Sequence, residues 1–167
     1  LYRFYDWMIE WPPQKGSYKK FLFYGESEDG LHWRKPAQGQ VRYLGFDTNF
    51  IQISFLGDAN PGNIAVLRDP VAKSQEERYK IVFQEKRGEK WGMYPGHSAD
   101  GIHWKLLSAK KINPSASDTQ FSAFWDDRIG KYVQYTRMKP DNPEQVAYYR
   151  RLYDGFAGRG VDCVVGR

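Results

Sequence analysis

The chain has 167 residues, 41% hydrophobic and 27% charged, the make-up of one globular domain rather than a disordered segment. Its formal charge of +5 comes from 25 basic and 20 acidic residues that are interspersed, without the basic stripe of a nucleic-acid footprint, and no run is long enough for a membrane-spanning helix. The one cysteine, Cys163, excludes an internal disulfide and a cysteine-based metal site, and its apolar neighbours read it as a small buried hydrophobe.

In chain order, residues 1–11 are aromatic and β-prone until Pro12, Pro13 and Gly16 break the run. Phe21-Leu22-Phe23-Tyr24 is the next predicted strand, and His32-Trp33-Arg34 returns from it before Pro36. A loop is predicted from about Ala37 to Asn63. Strands then follow at Ile64–Leu67, Tyr79–Phe83, Trp91–Tyr94 and in the return through Leu107, which makes a meander of four. Thr119–Trp125 and Lys131–Thr136 form a further hairpin around Asp126–Gly130. Past a Pro-containing loop and an ambiguous stretch (146–153), Val161–Gly166 closes the chain. No apolar pattern of helical period and length occurs, so the predicted class is all-β.

One heptapeptide occurs twice, and the rest is arranged around it. Ser27-Glu28-Asp29-Gly30-Leu31-His32-Trp33 returns 71 residues later as Ser98-Ala99-Asp100-Gly101-Ile102-His103-Trp104. Asp-Gly is the pair that a type I′ hairpin turn demands, with positive φ at both residues, and the Trp that ends each copy can fold back on the hairpin. A repeated hairpin cannot bury its own apolar face and implies stacked neighbours. The same spacing puts a third copy just after Gly166-Arg167, so the sequence reads as a segment of a longer protein. A four-stranded meander repeated at this interval predicts propeller blades: strands two to four of one blade over about 1–45, a complete blade over 46–112, and most of a third over 113–167. A β-sandwich or open barrel is the alternative.

Several motifs together carry a resemblance. They are the Ser-x-Asp-Gly-x-His-Trp turn, Arg68-Asp69-Pro70 at the end of a strand, Arg78-Tyr79-Lys80-Ile81 opening the next, and the run Asp118 to Val133 with Gln120, Phe124-Trp125-Asp126 and Gly130-Lys131-Tyr132-Val133. In these the chain resembles the five-bladed β-propeller glycoside hydrolases of the invertase, arabinanase and xylosidase clan, over nearly its whole length but for only about half of such a propeller. The turn is also similar to the Asp box of sialidases, Ser-x-Asp-x-Gly-x-x-Trp, but lacks one residue between Asp and Gly. The resemblance implies cleavage of glycosidic bonds by paired carboxylates, one a proton donor and the other a base or nucleophile. It implies Asp69 as the carboxylate that holds the sugar and Asp118 near the acid/base position, where related enzymes usually carry Glu. Arg68, Gln120 and Trp125 are the substrate-binding candidates, carbohydrate is the partner, and no cofactor or metal is required. The base of this clan belongs to a strand expected before Leu1, so the catalytic set in this chain is expected to be incomplete.

Plainer readings stand beside these. Asp-Pro commonly opens turns, Asp118 can cap one, and Glu10 and Glu85 are strand-end acids facing water. The recurrence of His32 and His103 within the repeat favours packing or turn bonding over a metal site, and Trp7, Trp11, Trp91 and Trp125 serve equally as sugar platforms or inter-blade core. A non-catalytic carbohydrate-binding propeller, or an assembly module that self-associates through exposed blade edges, are the alternative functions. The sequence does not fix a compartment; the resemblance implies a secreted or periplasmic parent.

Overall fold

The computed structural model describes residues 1–9, 20–53, 63–87, 90–113, 117, 120–136 and 163–165. Apart from one 3-10 turn, Gln75–Glu77, every regular element in them is a β-strand, and the class is all-β in several antiparallel sheets. The strands are β1 (Tyr2–Ile9), β2 (Lys20–Ser27), β3 (Arg42–Tyr43), β4 (Phe46–Asp47), β5 (Phe50–Ile51) and β6 (Ile64–Arg68). They continue with β7 (Tyr79–Arg87), β8 (Lys90–Ser98), β9 (Lys105–Leu106), β10 (Ser122–Asp126), β11 (Lys131–Tyr135) and β12 (Cys163–Val165). The chain divides into two compact units, Leu1–Gly62 with Ile102–Lys105, and Asn63–Gly101 with Leu106–Arg167.

The first unit is built on the sheet β1-β2-β5. Period-two alternation sends Leu22 and Tyr24 into a buried face with Ile51 and Ile53, while Phe21 stacks on Phe50 at 4.7 Å and Phe4 meets Phe23 edge-on at 5.2 Å. Gly25 is required by this packing. It lies opposite Phe4 in the register, and a Cβ there would come within 2.5 Å of the Phe4 ring. Phe50-Ile51, expected inside a loop, instead pairs with Phe23 and Leu22 and completes this sheet.

The second unit holds the sheet β6-β7-β8-β9, a meander in sequence order, and the four strands predicted between Ile64 and Leu107 are its members. β7 is buried on both faces. Ile81 and Phe83 occupy one, with Phe83 stacked on Tyr94; Val82 packs on the other with Ala65, Met93 and Phe121. Each such side chain stabilises the fold by about 1.5–3 kcal/mol. The sheet β10-β11-β12 follows, its strands also in chain order. Buried amides link these pieces: Asn63 donates to the Ser117 carbonyl (2.6 Å), the Ser117 N–H donates to Gln84 Oε1 (2.6 Å), and Asn113 donates to Gln134 Oε1 (3.3 Å). Left unpaired, each buried amide would cost about 1–3 kcal/mol.

The heptapeptide is not the type I′ turn that its Asp-Gly pair predicts. Gly30 and Gly101 have φ of 80° and 78°, but Leu44 is the only described non-glycine residue with positive φ, so Asp29 and Asp100 lack it. The longer loop is held by side chains instead. Ser27 Oγ accepts the Gly30 N–H (2.8 Å) and donates to Asp29 Oδ1 (3.0 Å), which accepts the N–H groups of Leu31 and His32 (both 2.8 Å). Ser98 bonds Gly101 and Asp100 in the same way, at 2.9 and 3.0 Å. Trp33 does fold back, donating from Nε1 to the Gly30 carbonyl (3.1 Å). The two positive φ values of a type I′ turn occur at Leu44 (50°) and Gly45 (86°), between the paired residues Tyr43 and Phe46.

Candidate functional site

The site begins where β6 ends. The Asp69 N–H donates to the Arg78 carbonyl (2.9 Å), continuing the β6–β7 ladder for one more bond. Its Oδ1 accepts the Val71 N–H (3.0 Å), the bond by which an Asp opens a turn. Its Oδ2 accepts the Tyr132 hydroxyl (2.7 Å) and lies 3.2 Å from Lys80 Nζ. Lys80 also donates to the Glu77 carboxylate (2.8 Å) and the Glu77 carbonyl (2.9 Å), which engages all three of its N–H bonds. Burial, first, and then the bond to Asp69 drive the Tyr132 phenol above its ordinary pKa, so Tyr132 stays a donor; the Lys80 bond holds Glu77 below the usual range. The Asp69 side chain is only 1% exposed, so a sugar hydroxyl reaches it only if Lys80 or Tyr132 moves aside.

The β10–β11 corner repeats the device. Asp126 is the last residue of β10, and its Oδ1 accepts the N–H of Arg128 two residues on (2.9 Å), as Asp69 Oδ1 does from Val71. The Arg128 guanidinium grips both carboxylate oxygens, at 3.0 and 2.7 Å, and this contact, chiefly, lowers the Asp126 pKa. Asp69 and Asp126 are thus equivalent corner residues, each opening the turn after a sheet's first strand. What sets Asp69 apart is its partner on β11.

The other predicted site residues divide between the ends of β6. Arg68 is exposed and lines a cavity of about 750 Å³ beside Asp69. Trp125 lies against Tyr132, edge to face at 4.9 Å, and donates to Asp127 Oδ1 (2.6 Å). Gln120, by contrast, donates to the carbonyl of Ile64, at the start of β6 (2.6 Å). Asp118 lies outside the described residues, as does Glu10; Ser117 is anchored to Asn63 and Gln84 beside that same start. From Ile64 to Asp69 an extended chain rises about 17 Å. Arg68 and Asp69 therefore share one corner, Trp125 is linked to it only through Tyr132, and Gln120 lies at the other end of β6.

Glu85, expected to face water, is ion-paired with Arg87 at 2.6 Å. His97 Nδ1 lies 3.0 Å from the Glu76 carbonyl, and His32 pairs with Asp29 at 2.7 Å within its own turn. Among the described residues no three His, Cys, Asp or Glu side chains are grouped to hold a metal ion. Sequence reasoning missed Lys80 and Tyr132 as partners of Asp69. The one available signal was a lysine inside the otherwise apolar run of β7, where a charge needs a counter-charge to be buried. No family model, curated protein or solved structure matches the chain.

Proposed function

We propose that the chain contributes consecutive blades to a five-bladed β-propeller of glycoside hydrolase type, acting on glycosidic bonds of oligo- or polysaccharides. The observation that carries this reading is the recurrence of one strand plan. β7 and β8 pair with Tyr79 opposite Ser98, and β1 and β2 pair with Tyr2 opposite Ser27. In both sheets the edge of the heptapeptide's own strand is completed by two short returning segments. Arg34 bridges Glu26 and β5 pairs further along β2; the Leu107 N–H donates to the Pro95 carbonyl, and Asn113 bridges Met93 on β8. β10, β11 and β12 follow the order of β6, β7 and β8.

In this reading Asp69 acts as a fixed negative charge near the sugar, oriented by Lys80 and Tyr132, stabilising oxocarbenium-like charge without transferring a proton. Asp118 remains the candidate acid, and its partner across the scissile bond is a carboxylate other than Asp69. The test is hydrolysis of a panel of aryl glycosides and polysaccharides by the parent protein. Asp118→Asn is expected to lower kcat/KM by about 100-fold or more, in the range of a lost general acid. Unchanged hydrolysis in both Asp118→Asn and Asp69→Asn would remove the assigned roles. A second reading, a non-catalytic carbohydrate-binding propeller, is favoured by the closure of the Asp69 carboxylate to solvent. Glycan-array binding without sugar release supports it, and release ends it.

A further inference from the structure

We propose that the cavity at the β6–β7 corner is an anion site that takes the carboxylate or sulfate group of an acidic oligosaccharide. The saccharide half rests on the glycan reading above; the anion half rests on this corner alone. Arg68, Lys73 and Arg78 line the cavity, with Ser74 and Gln75 between them. Most described arginines are matched: Arg34 lies 2.8 Å from Glu26, Arg42 3.2 Å from Asp47, Arg87 2.6 Å from Glu85 and Arg128 2.7 Å from Asp126. Arg68 and Arg78 have no carboxylate partner among the described residues, and Arg78 only leans on the Tyr79 ring at 5.7 Å.

The nearby Asp69 and Glu77 make their close contacts elsewhere, although Lys73 does feel the Glu77 charge. Asp69 is turned to Tyr132 and Lys80, and Glu77 is held by Lys80 at 2.8 Å. Ser74 caps none of the turn's N–H groups with its hydroxyl. Two planar guanidinium forks, an ammonium and a hydroxyl around one hollow form a donor set for a planar or tetrahedral oxyanion. A volume of about 750 Å³ exceeds what an inorganic ion fills and leaves room for the sugar units that carry the charge.

The experiment titrates the full 167-residue chain with tetragalacturonate, a sulfated heparin tetrasaccharide, the neutral cellotetraose, and inorganic sulfate. Calorimetry gives affinity, and backbone amide shifts give location. Binding of an acidic tetrasaccharide with shifts at residues 68–78, weakened about tenfold or more by Arg68→Gln/Lys73→Gln/Arg78→Gln, is the expected result. Lys110→Gln serves as the control. All three replaced cations are exposed, so the fold is expected to survive, as the amide spectrum shows directly. Equal binding of cellotetraose, no binding of any anion, or acidic binding that the triple variant leaves intact overturns the proposal. If sulfate alone binds as tightly as either acidic tetrasaccharide, the anion site stands and the glycan reading falls.

Discussion

Leu44 shows what a single side chain costs in the wrong backbone region. It has φ of 50° and is 78% exposed, so its Cβ crowds the carbonyl while its isobutyl group packs against little. Leu44→Asn is expected to stabilise the protein by about 0.5–1 kcal/mol, read as a higher midpoint in urea. Lys80 shows the opposite. Lys80→Met leaves the Asp69 charge buried with only Tyr132 and the Val71 N–H, a loss of about 3–5 kcal/mol, and Lys80→Met/Asp69→Asn should lose less than the two changes summed. Asp29 gives a pH dependence. Its bonds to the His32 side chain, first, and to the His32 and Leu31 N–H groups hold its carboxyl well below the usual range. The folded value lies under the unfolded one, so the turn's stabilisation is complete above the ordinary Asp value of about 3.9 and lost as pH falls through the folded value. An NMR titration of the Asp29 carboxyl carbon with a midpoint near 3.9 would contradict this.

At the scale of strands and turns, the two heptapeptides share five of seven residues and the serine hydrogen bonds to Asp and Gly, but not an environment. Trp33 is 44% exposed and meets Phe4 edge-on at 5.5 Å; Trp104 is 2% exposed and meets Tyr5 at 6.3 Å. Trp104→Ala should therefore cost about 3–5 kcal/mol and Trp33→Ala about 1 kcal/mol, measured by chemical denaturation of each variant. Equal costs would show that burial does not separate the copies. The strands themselves were legible, because Phe21 to Tyr24 and Tyr79 to Phe83 are aromatic and branched runs bounded by turn residues. The turn type was not. Asp-Gly signals a two-residue corner only when the backbone alone closes it, and here Ser27 and Asp29 side chains supply donors and acceptors for a longer one. Leu44-Gly45 gave no signal, since leucine is an uncommon residue at positive φ.

For the molecule as a whole, Asp69 was legible as a corner residue from Asp-Pro, whereas its burial was not, since that depends on Lys80 ten residues on and Tyr132 on another sheet. β1 pairs only with β2 among the described strands, so an eight-residue edge presents backbone groups for pairing. The chain is expected to self-associate as its concentration rises. Light scattering checks this, and amide exchange at Tyr2–Trp7 should slow in step; a constant monomer mass would refute it. The unequal exposure of the two repeated tryptophans also turns the motif into a pair of optical probes. With the remaining indoles replaced by phenylalanine, Trp33 should emit at long wavelength and be extinguished by dissolved iodide. Trp104 should emit in the blue and escape the quencher until the fold opens around it.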